Sequence, residues 1–121
     1  MEVVNEMAKK DELTLDQSSL ADAWKRTLPI VMNSSDQSKV MPDEANPKAL
    51  RVHIDTAGHT MYSFDYLVEY VDSREVKVEL VDVERDGRTI DERPDVVQQL
   101  VADYARHLHE CAQQLHEYTH A

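Results

Sequence analysis

The 121 residues, 13.9 kDa in mass, are enough for one domain and leave no room for a catalytic domain beside a regulatory one. The 24 acidic residues outnumber the 13 lysines and arginines, giving a formal net charge of −11. A field of that sign repels phosphate backbones and anionic lipid, so we expect no direct nucleic-acid binding and no membrane binding.

The cysteine and glycine content indicates the cellular compartment and excludes one kind of phosphate-binding site. Cys111 is the single cysteine and has no partner for an internal disulfide, which is typical of a reducing compartment. No apolar stretch approaches the ~20 residues that span a bilayer, and the first ten residues lack the apolar core of a secretory signal. Gly58 and Gly87 are the only glycines, so no glycine-rich phosphate loop is available. We expect a cytoplasmic protein without a cofactor.

The first third of the chain predicts a tail, a helix and a linker. Residues 1–15 are charged and poor in large apolar groups, which indicates a flexible tail. Asp16 is a good helix cap, and a helical face follows it over residues 16–32, formed by Leu20, Trp24, Leu28 and Val31. Pro29 is expected to end or kink the last turn of this helix. Turn-forming residues and two prolines then indicate a linker over residues 33–48.

Alternating apolar residues predict an antiparallel meander in the α+β domain of residues 49–121. Its long strand runs from Tyr62 to Tyr70, after a shorter strand and a hairpin connection at Thr56–His59. The adjacent apolar pair Leu80 and Val81 breaks the alternation of the next strand, so we expect a β-bulge or a twist near Leu80, with Val83 on the face opposite Val76 and Val78. Asp86 and Gly87 form a strong hairpin signal, after which a short edge strand returns.

A long amphipathic helix is predicted from Pro94 to Tyr118. Its apolar positions alternate at spacings of four and three, namely Val97, Val101, Tyr104, Leu108, Cys111, Leu115 and Tyr118. The predicted fold is therefore α+β: a short N-terminal helix, and an antiparallel meander of three or four strands packed on one face by a long C-terminal helix.

The length of this helix predicts self-association. It would extend roughly 40 Å, beyond the short strands of such a sheet, so an overhang would expose Leu108, Cys111, Leu115 and Tyr118 at its end. Burying such side chains is favourable, and two overhanging helices would pair in a symmetric homodimer. In the competing arrangement, the N-terminal helix folds back over the overhang, with Trp24 filling the gap.

Histidines near the C-terminus form the sharpest chemical pattern. His116, Glu117 and His120 match H-E-x-x-H, which resembles the zinc-binding motif of metalloproteases over five residues. The resemblance implies a small zinc-dependent hydrolase. A wider metal-binding alternative adds His109, on the same third of the helix surface. Histidines are also favourable near a helix C-terminus without any metal, because they interact with the helix dipole. We therefore expect solvated side chains rather than ligands.

Acidic residues concentrate in the sheet. The segment from Asp65 to Asp95 holds eleven acids against five bases, and alternation turns Asp65, Glu69 and Glu79 away from the predicted core. An acidic sheet face provides solubility, and it can also dock a basic protein or mimic a nucleic acid toward a DNA-binding protein. Cys111 lies on the apolar stripe, which indicates a buried side chain rather than a nucleophile.

Together these patterns favour a small acidic cytoplasmic adaptor or regulatory protein without catalytic activity, with a partner that has a basic surface. The expected partner-binding residues are Asp65, Glu69 and Glu79 on the sheet with Leu108, Leu115 and Tyr118 on the helix. The alternatives are a metal-binding protein or zinc-dependent hydrolase using His109, His116 and His120, and an acidic inhibitor that mimics nucleic acid.

Overall fold

The computed structural model of the chain describes residues 12–33, 35–56, 62–86, 88–91 and 94–120. The elements follow in the order α1 (Gln17–Val31), β1 (Gln37–Pro42), β2 (Ala49–Asp55), β3 (Tyr62–Tyr70), β4 (Val76–Arg85), β5 (Arg88–Thr89), α2 (Asp95–Gln114) and α3 (His116–Thr119). The five strands form one antiparallel sheet in sequence order. The α+β class and the antiparallel meander are thus confirmed, with five strands instead of three or four.

Helix α1 begins as its capping residue predicts. The Ser19 backbone N–H donates to the Asp16 carboxylate at 3.3 Å, and hydrogen bonding to Ser19 lowers the pKa of Asp16. The helix continues through Pro29 and ends two residues later, at Val31. Its buried face contains Leu20 and Trp24, which have no exposed surface.

The additional strand, β1, lies inside the segment that was expected to be a linker. Gln37–Pro42 pairs antiparallel with β2, with Val40 opposite Val52. Val40 is the one buried residue of this strand, so it lacks the apolar alternation that reveals a strand in a sequence. Pro42 is tolerated because it ends an edge strand, where a missing N–H costs little.

The expected bulge is present in β4. Asp65 lies opposite Asp82 while the next residue, Tyr66, lies opposite Leu80, so Val81 is an extra residue. One inserted residue reverses the alternation of a strand. Val83 therefore points into the core and is 2% exposed, whereas Asp82 turns to the opposite face. The expectation that Val83 lies on the face opposite Val76 and Val78 is wrong, because the extra residue restores it to their face.

Both long helices pack on the inner face of the sheet. Tyr104 of α2 packs against Phe64 with tilted rings, 5.4 Å apart between centroids, and the Tyr66 hydroxyl donates to the carbonyl of Val101 at 2.7 Å. From α1, the Trp24 indole N–H donates to the Tyr70 hydroxyl at 3.0 Å. The C-terminal helix thus packs on one face of the sheet, as predicted.

The single long helix predicted to Tyr118 is wrong, because α2 ends at Gln114. Leu115 leaves helical geometry at φ −95° and ψ 4°, and the short helix α3 follows it. A tertiary contact fixes this change of direction: the Thr119 hydroxyl donates to the carbonyl of Ser73 at 2.9 Å, in the turn between β3 and β4. Both Thr119 and Ser73 are buried.

The predicted tail and the predicted hairpin connection fall partly on residues outside the described ranges. Most of the predicted tail, residues 1–11, lies outside the described residues, and Leu13 belongs to the core with 8% exposure. The hairpin connection predicted at Thr56–His59 also lies outside them from residue 57 onward. None of the helices in the described ranges combines the length and hydrophobicity that a bilayer crossing requires.

Candidate protein-binding face

One face of the sheet carries no helix among the described residues, and we call it the outer face. Its residues alternate with the buried aromatic residues of β3 and include Asp55 of β2, Ser63 and Asp65 of β3, and Asp82 and Glu84 of β4. These side chains are all half-buried, and both long helices contact the opposite face.

Three carboxylates converge on this face and form what we call the acidic cluster: Asp65, Asp82 and Glu84. One oxygen of each lies within 4.8 Å of the others, and all three side chains are half-buried. Strand register brings them together, because Asp65 is opposite Asp82 and the neighbouring Ser63 is opposite Glu84. Without the extra residue Val81, Asp82 and Glu84 would point into the core.

His53 connects the acidic cluster to a further carboxylate. Its Nδ1 lies 2.7 Å from Asp65 Oδ1, and its Nε2 lies 3.0 Å from Asp55 Oδ1. A neutral imidazole has one N–H and can donate to one of these carboxylates, whereas the imidazolium donates to both. The geometry thus favours a protonated His53.

The surroundings of His53 and Asp55 shift the pKa values of both side chains. Burial lowers the pKa of His53, but the hydrogen bond and charge of Asp65, together with those of Asp55, outweigh burial and raise this pKa above 6.5. The Ser63 hydroxyl donates to Asp55 Oδ1 at 2.6 Å, and this hydrogen bond is the main reason that the pKa of Asp55 is lowered.

The three sheet residues selected from the sequence all lie on the outer face, but they do not form one group. Asp65 belongs to the acidic cluster. Glu69 accepts a hydrogen bond from the Asn46 side-chain amide at 2.7 Å, and Glu79 is exposed, opposite Leu67. Sequence reasoning did not select Asp82 and Glu84, although the predicted bulge contained the signal that turns them outward.

The three helix residues selected from the sequence have different surroundings. Leu108 is fully buried in the core of its own chain, Leu115 is half-buried against that core, and Tyr118 is 43% exposed. As in the competing arrangement, α1 packs beside α2, and Trp24 has no exposed surface. Leu108 is therefore unavailable to a second protein in this conformation.

The candidate metal-binding histidines have other neighbours. His120 Nδ1 lies 2.6 Å from the Ser73 hydroxyl, and its Nε2 faces the Arg74 guanidinium at 3.3 Å. The ring of His116 stacks on that of His120 at 5.3 Å, while His109 is exposed on α2. Among the described residues, the groupings with metal-ligand spacing include none of these three histidines.

Cys111 is fully buried, and burial raises the pKa of its thiol to about 12. A thiol in this environment stays protonated at neutral pH and is a poor nucleophile. Its position on the inward stripe of α2 is the one its spacing predicts.

Comparison of the chain with protein-family models, with curated proteins and with solved structures found no match.

Proposed function

We propose that this protein is a cytoplasmic, non-catalytic binding protein, and that its acidic cluster docks a partner with a basic surface. The observation that carries the proposal is the convergence of Asp65, Asp82 and Glu84 within 4.8 Å, on a face that none of the described helices covers. Like charges held this close repel one another. A lysine or arginine from a partner would relieve that repulsion, which favours association at this point.

Charge around the cluster supports the same proposal. His53, which contacts Asp65 of the cluster, is shared with Asp55, so it neutralises the cluster incompletely. The net charge of −11 adds a long-range attraction for a basic protein, which speeds association at low ionic strength and is screened by salt.

A pair of variants with equal charge tests the proposal. Asp82→Asn with Glu84→Gln removes two charges from the acidic cluster and leaves the bonds of His53 intact. Asp22→Asn with Glu44→Gln removes two exposed charges elsewhere, so both variants change the net charge by the same amount. Each protein is immobilised and exposed to extract of the native host, and the retained proteins are quantified by mass spectrometry over a salt series.

We expect wild type and the Asp22/Glu44 control to retain the same basic protein, and the cluster variant to lose it. Retention should fall as salt rises, because the attraction is electrostatic. Equal retention by the two variants would show that net charge, and not the acidic cluster, is responsible.

A further inference from the structure

The edge of β4 that points away from β3 is largely without a pairing strand among the described residues. This strand pairs with β3 from Val76 to Arg85, but on its other side β5 covers Glu84 and Arg85, and the Ile90 N–H reaches the carbonyl of Val83. Within the described residues, no strand lies along Val76–Asp82 on that side. An open row of backbone donors and acceptors can accept another strand.

The regular part of this edge is short and has a defined centre. The bulge at Val81 interrupts it, which leaves five residues from Val76 to Leu80, with Val78 in the middle. On the inner side, Val76, Val78 and Leu80 are half-buried, whereas the β3 residues opposite them are buried. Apolar surface thus continues to the open edge, where another strand would cover it.

We propose that β4 pairs antiparallel with β4 of a second copy of this chain, about a two-fold axis at Val78. This register places Lys77 opposite Glu79 of the second copy, and the two-fold repeats that pair. On the inner side it places Val78 opposite Val78 and Val76 opposite Leu80. A register centred one residue later would place Glu79 against Glu79, which is unfavourable.

The same features make the pairing selective. Lys77, next to the centre of this edge, and the bulge at its end both discourage pairing with unrelated strands. A second copy supplies the opposite charge at the matching position and an equal regular length. The resulting ten-stranded sheet carries the acidic clusters of both copies on one side, but the dimer does not depend on the function of that cluster.

Charge reversal tests the register. We expect sedimentation equilibrium of wild type to show a shift from 13.9 kDa toward twice that mass as concentration rises from the low micromolar range toward millimolar. Glu79→Lys places like charges opposite each other twice and should weaken the dimer at least tenfold. Adding Lys77→Glu restores the complementarity and should recover the dimer. Glu79 lies opposite Leu67 in its own sheet, so among the described residues its reversal breaks no cross-strand ion pair. Lys77 lies opposite Glu69, so Lys77→Glu places like charges there, and the urea midpoint of the double variant is measured to show that it is folded.

Disulfide trapping locates the two-fold axis independently. Residues directly opposite in an antiparallel pair lie about 4.5 to 5.5 Å apart between Cα atoms, within reach of a disulfide. Val78→Cys should therefore form a covalent dimer under mild oxidation. Val81→Cys is the matched control, because six residues of strand, about 20 Å, would separate the two copies of position 81. Cys111 is fully buried and does not compete.

Three results would overturn the proposal. The first is a monomer at every concentration, and the second is equal cross-linking of Val78→Cys and Val81→Cys. The third is a dimer that Glu79→Lys leaves intact and Leu115→Asp dissociates, because that dimer would use the C-terminal helices. None of these results affects the capture experiment with the Asp82 and Glu84 variant, so the two proposals fail separately.

Discussion

We predict that replacing His53 by glutamine reduces the pH dependence of the free energy of unfolding. His53 lies between Asp55 and Asp65 and donates to both when protonated. Glutamine keeps a side-chain donor of similar length but cannot carry the positive charge. The variant therefore removes the two ion pairs and leaves the strand pairing of β2 with β3 in place.

The size of the effect follows from the exposure of the groups. The side chain of His53 is 27% exposed, and those of its partners are 45% and 34% exposed, so solvent screens both pairs. Pairs of this kind contribute about 0.2 to 1 kcal/mol each, so we expect His53→Gln to cost about 0.4 to 2 kcal/mol where His53 is protonated.

The direction of the pH dependence follows from the raised pKa of His53. A group whose pKa is higher in the folded state stabilises that state fully below its unfolded pKa, about 6.5, and loses this contribution as pH rises through the folded pKa. The difference between wild type and His53→Gln should therefore be largest near about pH 6 and should fall toward about pH 9.

Urea unfolding at a series of pH values measures this difference, with fluorescence of the single, fully buried Trp24 as the signal. A change of 1 kcal/mol shifts the unfolding midpoint by about 0.3 to 1 M urea. His109→Gln, which replaces an exposed histidine, is the control and should show no such trend. A difference that is constant between pH 6 and 9, or that grows with pH, would refute the bridging role of His53.

Three further predictions concern the core. Leu108→Ala should destabilise the fold by about 2 to 5 kcal/mol in urea unfolding, because Leu108 is fully buried, whereas its exposed neighbour should tolerate His109→Ala within about 0.5 kcal/mol; equal effects would contradict the packing of α2. Tyr70→Phe removes the acceptor of the Trp24 indole N–H and should cost about 1 to 3 kcal/mol, with no change expected if that hydrogen bond is absent in solution. Cys111 should react with a thiol reagent far more slowly in the native protein than in urea, and rapid native labelling would mean that it is accessible.

Local patterns in the sequence predicted the elements that local interactions determine. Asp16 predicted the start of α1, because a helix cap acts within one turn. The adjacent pair Leu80 and Val81 predicted an irregularity in β4, because two apolar neighbours break a period of two. The predicted face of Val83 was wrong, because the inserted residue returns it to the inner face. The apolar spacing along α2 predicted that Cys111 is buried, because residues three and four apart lie on one face of a helix.

Features that depend on distant contacts escaped this reasoning. Strand β1 carries one buried residue and forms through its pairing with β2. The end of α2 has no glycine or proline signal, and it is set by the contact of Thr119 with Ser73. The link between His53 and Asp65 joins residues that are twelve positions apart, so it requires the register of β2 and β3. The acidic cluster likewise became visible only when two strands were placed in register.

The acidic cluster is the central element of the proposed function, and chemical-shift mapping tests it most directly. The isotope-labelled protein is titrated with the basic partner recovered in the capture experiment, and its backbone amide resonances are followed. We predict that the largest changes occur on the outer face, at and around Asp65, Asp82 and Glu84, and that Asp82→Asn with Glu84→Gln abolishes them. Changes confined to α1 or α2, with the outer face unaffected, would contradict the proposal.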